Sequence, residues 1–155
     1  MARVQWAYMV RVESVLGSWK TIRQDTAQAV EDCPAGALDF RPAPELMSFR
    51  ESALHILDAG NALSGLLLAC ETNMTAPDFR EKMKAYRSAL PADAGASALA
   101  AELREAVNRR TSEFAQQTPE FFSQLITRFD GQQVTRLEMV QTIKEHELTH
   151  RQHLF

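Results

Sequence analysis

The chain has 155 residues, of which 45% are hydrophobic and 24% charged, and its formal net charge is −3. These values are close to globular averages and exclude a disordered or fibrous chain, while the acidic balance argues against a dedicated nucleic-acid binder, which is more often basic. The length predicts one domain over residues 1–155. The longest apolar stretch is far shorter than a bilayer span, and the N-terminus lacks the apolar core of a signal peptide. We therefore expect a soluble, cytoplasmic protein that binds neither membranes nor nucleic acid.

The first half of the chain predicts two long helices. Apolar residues recur at three- and four-residue steps from about Val4 to Asp32, the period of an amphipathic helix, and a proline and a glycine then end it. Ser48 and Glu51 form a capping-box pattern that begins a second helix, which is predicted to run to about Cys70. The two cysteines, Cys33 and Cys70, are too few for a disulfide framework and are interpreted as small buried hydrophobes.

The rest of the chain predicts two further long helices and three shorter elements. Each is marked by an end signal of its own: a proline, a capping residue or a turn pair. In chain order they are a helix that begins at Thr75–Asp78 and ends before Pro91, a long helix from about Ser97 to Gln116, a short turn that begins at Thr118–Pro119, an extended segment from Ile126 to Val134 with a turn at Asp130–Gly131, and a last helix that the Thr135–Glu138 capping box opens.

Four long amphipathic helices joined by connectors of moderate length predict an all-α fold, a four-helix bundle. The composition agrees, because alanine and leucine greatly outnumber valine and isoleucine, a balance that favours helix over sheet. Binding sites in such bundles are built from side chains on facing helices. Polar side chains on the apolar faces of these helices are therefore the candidate functional residues.

Three of the four histidines lie in the last ten residues of the chain, on one face of the last predicted helix. At 3.6 residues per turn, His150 lies about 40° from His146 around the helix axis, and His153 lies about 20° to the other side. Two histidines four residues apart are well spaced to share one metal ion. Imidazoles stacked on a core-facing stripe need partners for their nitrogens, which a metal ion supplies; buried, hydrogen-bonded core histidines are the alternative. We set His153 aside as a ligand, because helix ends fray.

The segment HELTH at residues 146–150 also matches H-E-x-x-H, the signature of zinc proteases in which the glutamate is the general base. The pattern lacks the third ligand that follows it in those enzymes, and Glu147 lies about 100° from His146 around the helix. The protease interpretation is therefore disfavoured. The third ligand is then expected upstream at His55, the fourth histidine, which lies at the edge of the apolar face of the second predicted helix.

A histidine in the second helix, followed much later by H-x-x-x-H-R in the last helix, resembles the DinB-like (DinB/YfiT) superfamily of small metal-binding bundles. The resemblance covers nearly the whole chain. It includes LDFRP at 38–42, the Ser48 cap, ALHI at 53–56, FDG at 129–131, TRLEM at 135–139 and HELTHR at 146–151. One departure follows these motifs, where members often have glycine and glutamine and this chain has Gln152 and His153.

The resemblance implies an up-down-down-up four-helix bundle that is often a homodimer. It also implies a divalent metal ion, commonly nickel or zinc, held by His55, His146 and His150. Characterised relatives transfer low-molecular-weight bacterial thiols such as bacillithiol, or use mycothiol in maleylpyruvate isomerisation. Many other members have no known activity.

These observations lead to the hypothesis of a metal-dependent thiol S-transferase. Three neutral histidine ligands leave coordination positions open, and a thiol bound at such a site is deprotonated to the nucleophilic thiolate. The expected partners are a small-molecule thiol and an electrophile. Two alternatives remain open: a non-catalytic metal-binding stress-response module, and a metal-dependent hydrolase that uses Glu147 or another carboxylate as base.

Charged residues near the histidines have two interpretations each. Glu51 lies one turn before His55 and either orients its ring or only caps the helix, capping being the simpler role. Glu145, Glu147 and Arg151 are either solvated surface charges or contacts for a substrate carboxylate. Three aromatic residues either line a pocket or, as is more common at helical spacing, belong to the core: Trp6, Trp19 and Phe49.

Overall fold

The computed structural model describes residues 10–154, which form six α-helices and one two-stranded antiparallel hairpin. Among the helices of this part of the chain, none is both long and apolar enough to cross a bilayer. In chain order the elements are α1 (Val12–Glu31), α2 (Phe49–Leu68), α3 (Phe79–Lys84), α4 (Ala96–Ala115), α5 (Pro119–Ser123), β1 (Leu125–Thr127), β2 (Gln133–Thr135) and α6 (Arg136–Arg151), and a 3-10 turn (Gln152–Leu154) follows.

The four long helices α1, α2, α4 and α6 pack as a bundle, and the predicted fold class is confirmed. α1 packs mainly against α4 and α6, and α2 packs mainly against the same two helices. The first two helices of the chain therefore face each other across a diagonal of the bundle instead of lying side by side. This arrangement places α2 beside α6, the two helices that carry the proposed histidine ligands.

The apolar faces of these helices form the core in two clusters. Trp19 of α1 belongs to the first cluster and is only 1% exposed, and Phe49 of α2 packs against the second. Trp19 is therefore a core residue, Phe49 is half-buried at the edge of the second cluster and lines a surface pocket there, and Trp6 lies outside the described residues. The first cluster continues into the hairpin through Ile126 and Val134.

The helix starts follow the capping patterns of the sequence. The Ser48 hydroxyl accepts a hydrogen bond from the Glu51 N–H, and the Glu51 carboxylate accepts one from the Ser48 N–H. Thr135 and Glu138 make the same reciprocal pair at the start of α6, and Thr118 caps α5 at its proline. These side chains satisfy N–H groups that have no partner within the helix.

The predicted start of the first helix and the predicted burial of the two cysteines are wrong, and the second helix ends two residues before its predicted end. The predicted helix start at Val4 lies outside the described residues, but a continuous helix from there is excluded, because Arg11 is extended (φ −87°, ψ 143°) and α1 begins at the next residue. The sequence has no capping residue at Arg11, so the apolar periodicity alone did not mark the start of α1.

α2 ends at Leu68, two residues before Cys70, whose backbone is in the left-handed region (φ 63°). Cys33 is half-buried and Cys70 exposed, since both follow the ends of helices.

The shorter elements lie between the long helices. In the hairpin Leu125 pairs with Thr135, and its turn contains Gly131 at a φ of 81°, which confirms the predicted extended segment and turn. The helix expected before Pro91 is shorter than predicted, because α3 ends at Lys84 and the chain continues in turns past Tyr86. α3 packs against α2, so it lies beside the helix that carries His55.

Candidate metal centre

The structure brings three of the four histidines together. His55 of α2 faces His146 and His150, which lie one turn apart on α6, and their ring centroids are 4.4–5.0 Å apart. The closest pair of nitrogens is Nε2 of His55 and Nε2 of His146, at 3.2 Å. One ring nitrogen from each of the three residues lies within 4.8 Å of the other two. All three side chains are half-buried, so the cluster lies at the edge of the core and is open to small ligands.

The nitrogen positions fit a metal ion. Zinc–imidazole bonds of about 2.0–2.1 Å at tetrahedral angles place two ligand nitrogens about 3.3 Å apart, close to the 3.2 Å between His55 and His146. Nδ1 of His150 is buried and has no hydrogen-bond partner among the described residues. A buried nitrogen without a partner is costly, and a shared ion relieves that cost for a cluster of neutral imidazoles.

Burial keeps the three imidazoles neutral. Burial, with smaller contributions from charge repulsion by His150 and His55, lowers the pKa of His146 to about 4. The pKa of His150 is also lowered, first by burial and then by His55 and His153. Burial lowers the pKa of His55 as well, against the opposing effect of the Asp58 carboxylate. Neutral imidazoles at neutral pH have free lone pairs, which is the form that binds metal.

His153 does not belong to this cluster. Its side chain is exposed, and its ring centroid lies 6.0 Å from that of His150. It sits in the 3-10 turn that follows α6, where the helical register of His146 and His150 has ended.

Glu147 is neither a solvated charge nor a candidate base. Its side chain is 1% exposed and points into the core between α1 and α6. One carboxylate oxygen accepts from Arg23 Nε at 2.8 Å and from the Thr26 hydroxyl at 2.9 Å, and the other accepts from Trp19 Nε1 at 3.0 Å. The carboxylate therefore balances a buried guanidinium. Both the protease role and the surface interpretation of Glu147 are wrong, because this residue faces α1 and not the histidines.

Glu51 and Arg151 also have structural partners. The two oxygens of the Glu51 carboxylate are taken by the Ser48 N–H and by the Arg41 guanidinium, so the capping interpretation accounts for Glu51. Arg151 lies 3.5 Å from the Asp25 carboxylate on α1 and reaches the Ile22 carbonyl on the same helix. Arg151 therefore bridges α6 to α1, on the side of α6 away from His55.

A cleft of about 450 Å³ opens beside His55. One wall is α2, and the other is α3 with the turn that follows it. The charged residues of this cleft were not predicted from the sequence, although Arg80, Lys84 and Arg87 recur at steps of four and three residues, which is a helical stripe. The cleft is lined by His55, Asp58, Ala59 and Ala62 on α2 and by Arg80, Met83, Lys84 and Arg87 opposite.

Comparisons with known proteins agree with this fold. The sequence profile of the DinB superfamily matches residues 18–154. YfiT from Bacillus subtilis, described as a probable metal-dependent hydrolase with an unusual four-helix bundle topology, superposes with a TM-score of 0.70 at 22% identity, over 95% of this chain and 89% of that one. A DinB-like protein from the same bacterium gives a TM-score of 0.68 at 20% identity, over 91% of this chain and 87% of that one.

A third similar structure is larger than this chain. It is a mycothiol-dependent maleylpyruvate isomerase with a TM-score of 0.68 at 14% identity, and the match covers 94% of this chain but 61% of that protein. At these identities the structural matches establish the fold alone. Among curated proteins, none matches the sequence.

Proposed function

The chain belongs to the DinB superfamily, and from that membership and its histidine cluster we propose that it binds a divalent metal ion, zinc or nickel, and activates a low-molecular-weight thiol for transfer to an electrophile. His55, His146 and His150 are the proposed ligands. The observation that carries this proposal is the convergence of three neutral imidazoles from α2 and α6, one of which, His55, lines an open cleft.

The donor set favours a reactive site over a structural one. Structural zinc sites are closed by four protein ligands, whereas three ligands leave a position for a substrate. An ion held there would lower the pKa of a bound thiol or water. The fold of the chain is shared with a protein described as a mycothiol-dependent isomerase, which supports a thiol as the group that is activated.

The chain's own residues hold and shape this site. Burial keeps the imidazoles of His55 and His146 neutral, so their lone pairs stay available at physiological pH. Asp58 accepts a hydrogen bond from the Ser88 N–H at 2.8 Å, which fastens the turn after α3 to α2 and holds the cleft open beside His55. Glu147 anchors α6 against α1 and thereby fixes the direction in which its neighbour His146 points.

Hydrolysis is the second candidate, and Asp58 is the observation that favours it. A hydrolase needs a base near the ligand, and the Asp58 carboxylate lines the cleft together with His55. One of its oxygens is used by Ser88, which leaves the other for a water molecule. A similar structure is described as a probable metal-dependent hydrolase.

Metal content tests the proposal. Protein purified without a nickel column should contain one metal ion per chain by elemental analysis, and His55→Ala should lose it. His153→Ala is the matched control and should keep the ion, because this ring is exposed and outside the cluster. A wild-type chain without metal, or a His55→Ala variant that retains it, would refute the proposal.

Activity assays with two classes of substrate distinguish thiol transfer from hydrolysis. Conjugation of small thiols to electrophiles and hydrolysis of esters and amides should be compared for the wild type and Asp58→Asn. Thiol transfer is expected to survive this change, while a hydrolase would lose its base and about 10²-fold or more of its rate. Removal of the ion with chelator should abolish activity while the chain stays folded, with a melting temperature lowered only by the loss of the bound ion; collapse of the fold would instead indicate a metal with a structural role.

A further inference from the structure

The cleft beside His55 has a basic rim, and from it we propose that the site selects a small organic anion with a short apolar body. Arg80 and Arg87 are the residues assigned to bind the anionic group. This inference rests on the proposed function, because the metal ion is what makes the cleft a substrate site. It adds the class of substrate, which neither the histidines nor the fold specifies.

The charge of the rim is not neutralised by the protein. Neither the Arg80 nor the Arg87 guanidinium has a hydrogen-bond or ion-pair partner among residues 10–154, and both are exposed. Lys84, between them, pairs with Glu81 at 2.6 Å, so part of its charge is already balanced. Asp58 is the acidic residue of the described lining, and one of its oxygens is held by the Ser88 N–H. The two guanidinium groups therefore carry the available positive charge.

The floor of the same cleft is apolar. Ala59 and Ala62 lie on the face of α2 that also carries His55, and Met83 of α3 faces them across the cleft. Small side chains on one wall and a flexible thioether on the other leave room for a few methylene groups. A ligand that fits this lining has a short apolar body between its reacting group and its anionic group.

The basic wall is held in place by packing. Phe79 at the start of α3 is buried in the core. The Tyr86 ring lies so close to α2 that a Cβ on Gly65 would come within 2.3 Å of it, and the Arg110 guanidinium lies 5.8 Å from the centre of that ring. With the bond from Ser88 to Asp58, these contacts fix the turn that carries Arg87. The rim is therefore part of the fold and not a set of unconnected surface side chains.

Guanidinium groups suit this role because their planar donors match the oxygens of a carboxylate or phosphate. The combination of a metal ion for the reacting group and two arginines for the charge would hold one ligand at two points. Such a ligand should bind more tightly than an uncharged ligand of the same size, and its affinity should fall with added salt.

Two small thiols of similar size test the proposal. 4-Mercaptobutyrate is anionic and 4-mercaptobutanol is neutral, and their dissociation constants can be measured by NMR titration of the zinc-loaded chain at low salt. The wild type should prefer 4-mercaptobutyrate about tenfold, and the Arg80→Gln/Arg87→Gln variant should lose that preference while its affinity for 4-mercaptobutanol stays unchanged. Arg109→Gln on α4 is the control for loss of an exposed arginine outside the cleft and should keep the preference, and the single Arg80→Gln and Arg87→Gln variants, each removing one charge as it does, should weaken it.

The outcomes separate this inference from the proposed function. Equal binding of the two thiols, or a preference that survives the double arginine change at equal zinc content, would overturn the anion site and leave metal binding intact. The same titration on the metal-free chain should show weaker binding with the same preference. If the wild type holds no zinc, the metal proposal fails, and the metal-free titration still decides whether Arg80 and Arg87 select an anion.

Discussion

Two neighbouring residues of α6 face regions of opposite character. Glu147 points into a closed region between α1 and α6, where its oxygens accept three hydrogen bonds and balance the buried Arg23. His146 points toward α2, where its Nε2 lies 3.2 Å from Nε2 of His55, the histidine that lines the cleft. One face of α6 is therefore fixed to α1 by hydrogen bonds, while another face presents a proposed metal-ligating histidine to α2. In the closed region the Glu147 carboxylate is satisfied within the protein, although Nη2 of Arg23 has no hydrogen-bond partner among the described residues. In the open region three imidazoles lie together with no carboxylate to balance them, and a metal ion from outside would use their lone pairs.

The largest expected effect on the free energy of unfolding comes from removing the Glu147 carboxylate, which balances the buried charge of the closed region. Glu147→Ala leaves the Arg23 guanidinium buried without its carboxylate, and breaking such a pair costs about 3–5 kcal/mol. Chemical denaturation measures the free energy of unfolding, with Glu145→Ala as the exposed control that should stay within about 0.5 kcal/mol. A Glu147→Ala chain as stable as the wild type would contradict the account of this region.

A methyl group on α2 should disturb the wall of the open region. Gly65→Ala places a Cβ within 2.3 Å of the Tyr86 ring, whereas Gly17 on α1 has nothing within 4 Å of the same position. We expect Gly65→Ala to destabilise the fold by about 1–3 kcal/mol through overpacking. Gly17→Ala should instead stabilise it by about 0.5–1 kcal/mol, because alanine favours helix. Two thermal denaturation curves compare them, and shifts of the same sign would show that the Tyr86 contact is not tight.

Acidification should weaken the open region of the metal-free chain. Because the folded chain lowers the pKa of His146 to about 4 from its ordinary 6.5, protonation favours the unfolded chain. The contribution is complete above about pH 6.5 and is lost as the pH falls toward about 4. Since the ring is only half-buried, we expect a decrease of roughly 2–4 °C in the melting temperature of the metal-free chain. His146→Gln should lack this part of the pH dependence; an identical pH profile would contradict the assignment.

The smallest expected effect is at Glu51. Its carboxylate caps α2 and pairs with Arg41, so Glu51→Ala should cost about 0.5–1 kcal/mol of stability. Metal content should not change, because both oxygens have partners other than His55. Elemental analysis of this variant checks the point. A loss of metal would show that Glu51 orients His55 after all.

The helices and the pair of histidines on α6 could be predicted because their signals are local, whereas His55, 91 residues before His146, was placed with them through the resemblance to a known family. The capping boxes at Ser48 and Thr135 are readable over four residues, and the spacing of His146 and His150 fixes one face of a helix. The start of α1 could not be read, because the apolar period continues past Arg11 without a capping residue.

The closed region could not be predicted because it depends on packing between distant elements. The helical angle placed Glu147 away from His146, which suggested solvent, but α6 packs against both α1 and α2 and buries a wide arc. The partner of that carboxylate, Arg23, lies 124 residues away in the sequence. The basic rim was missed for the same reason, since only the fold brings α3 beside His55.

The location of the ion tests the central claim most directly. Anomalous diffraction at the zinc absorption edge, from crystals of the zinc-loaded chain, shows where the metal binds. The account predicts one strong peak about 2.0–2.1 Å from a ring nitrogen of each of His55, His146 and His150. A peak at other residues, or none at these three, would contradict it.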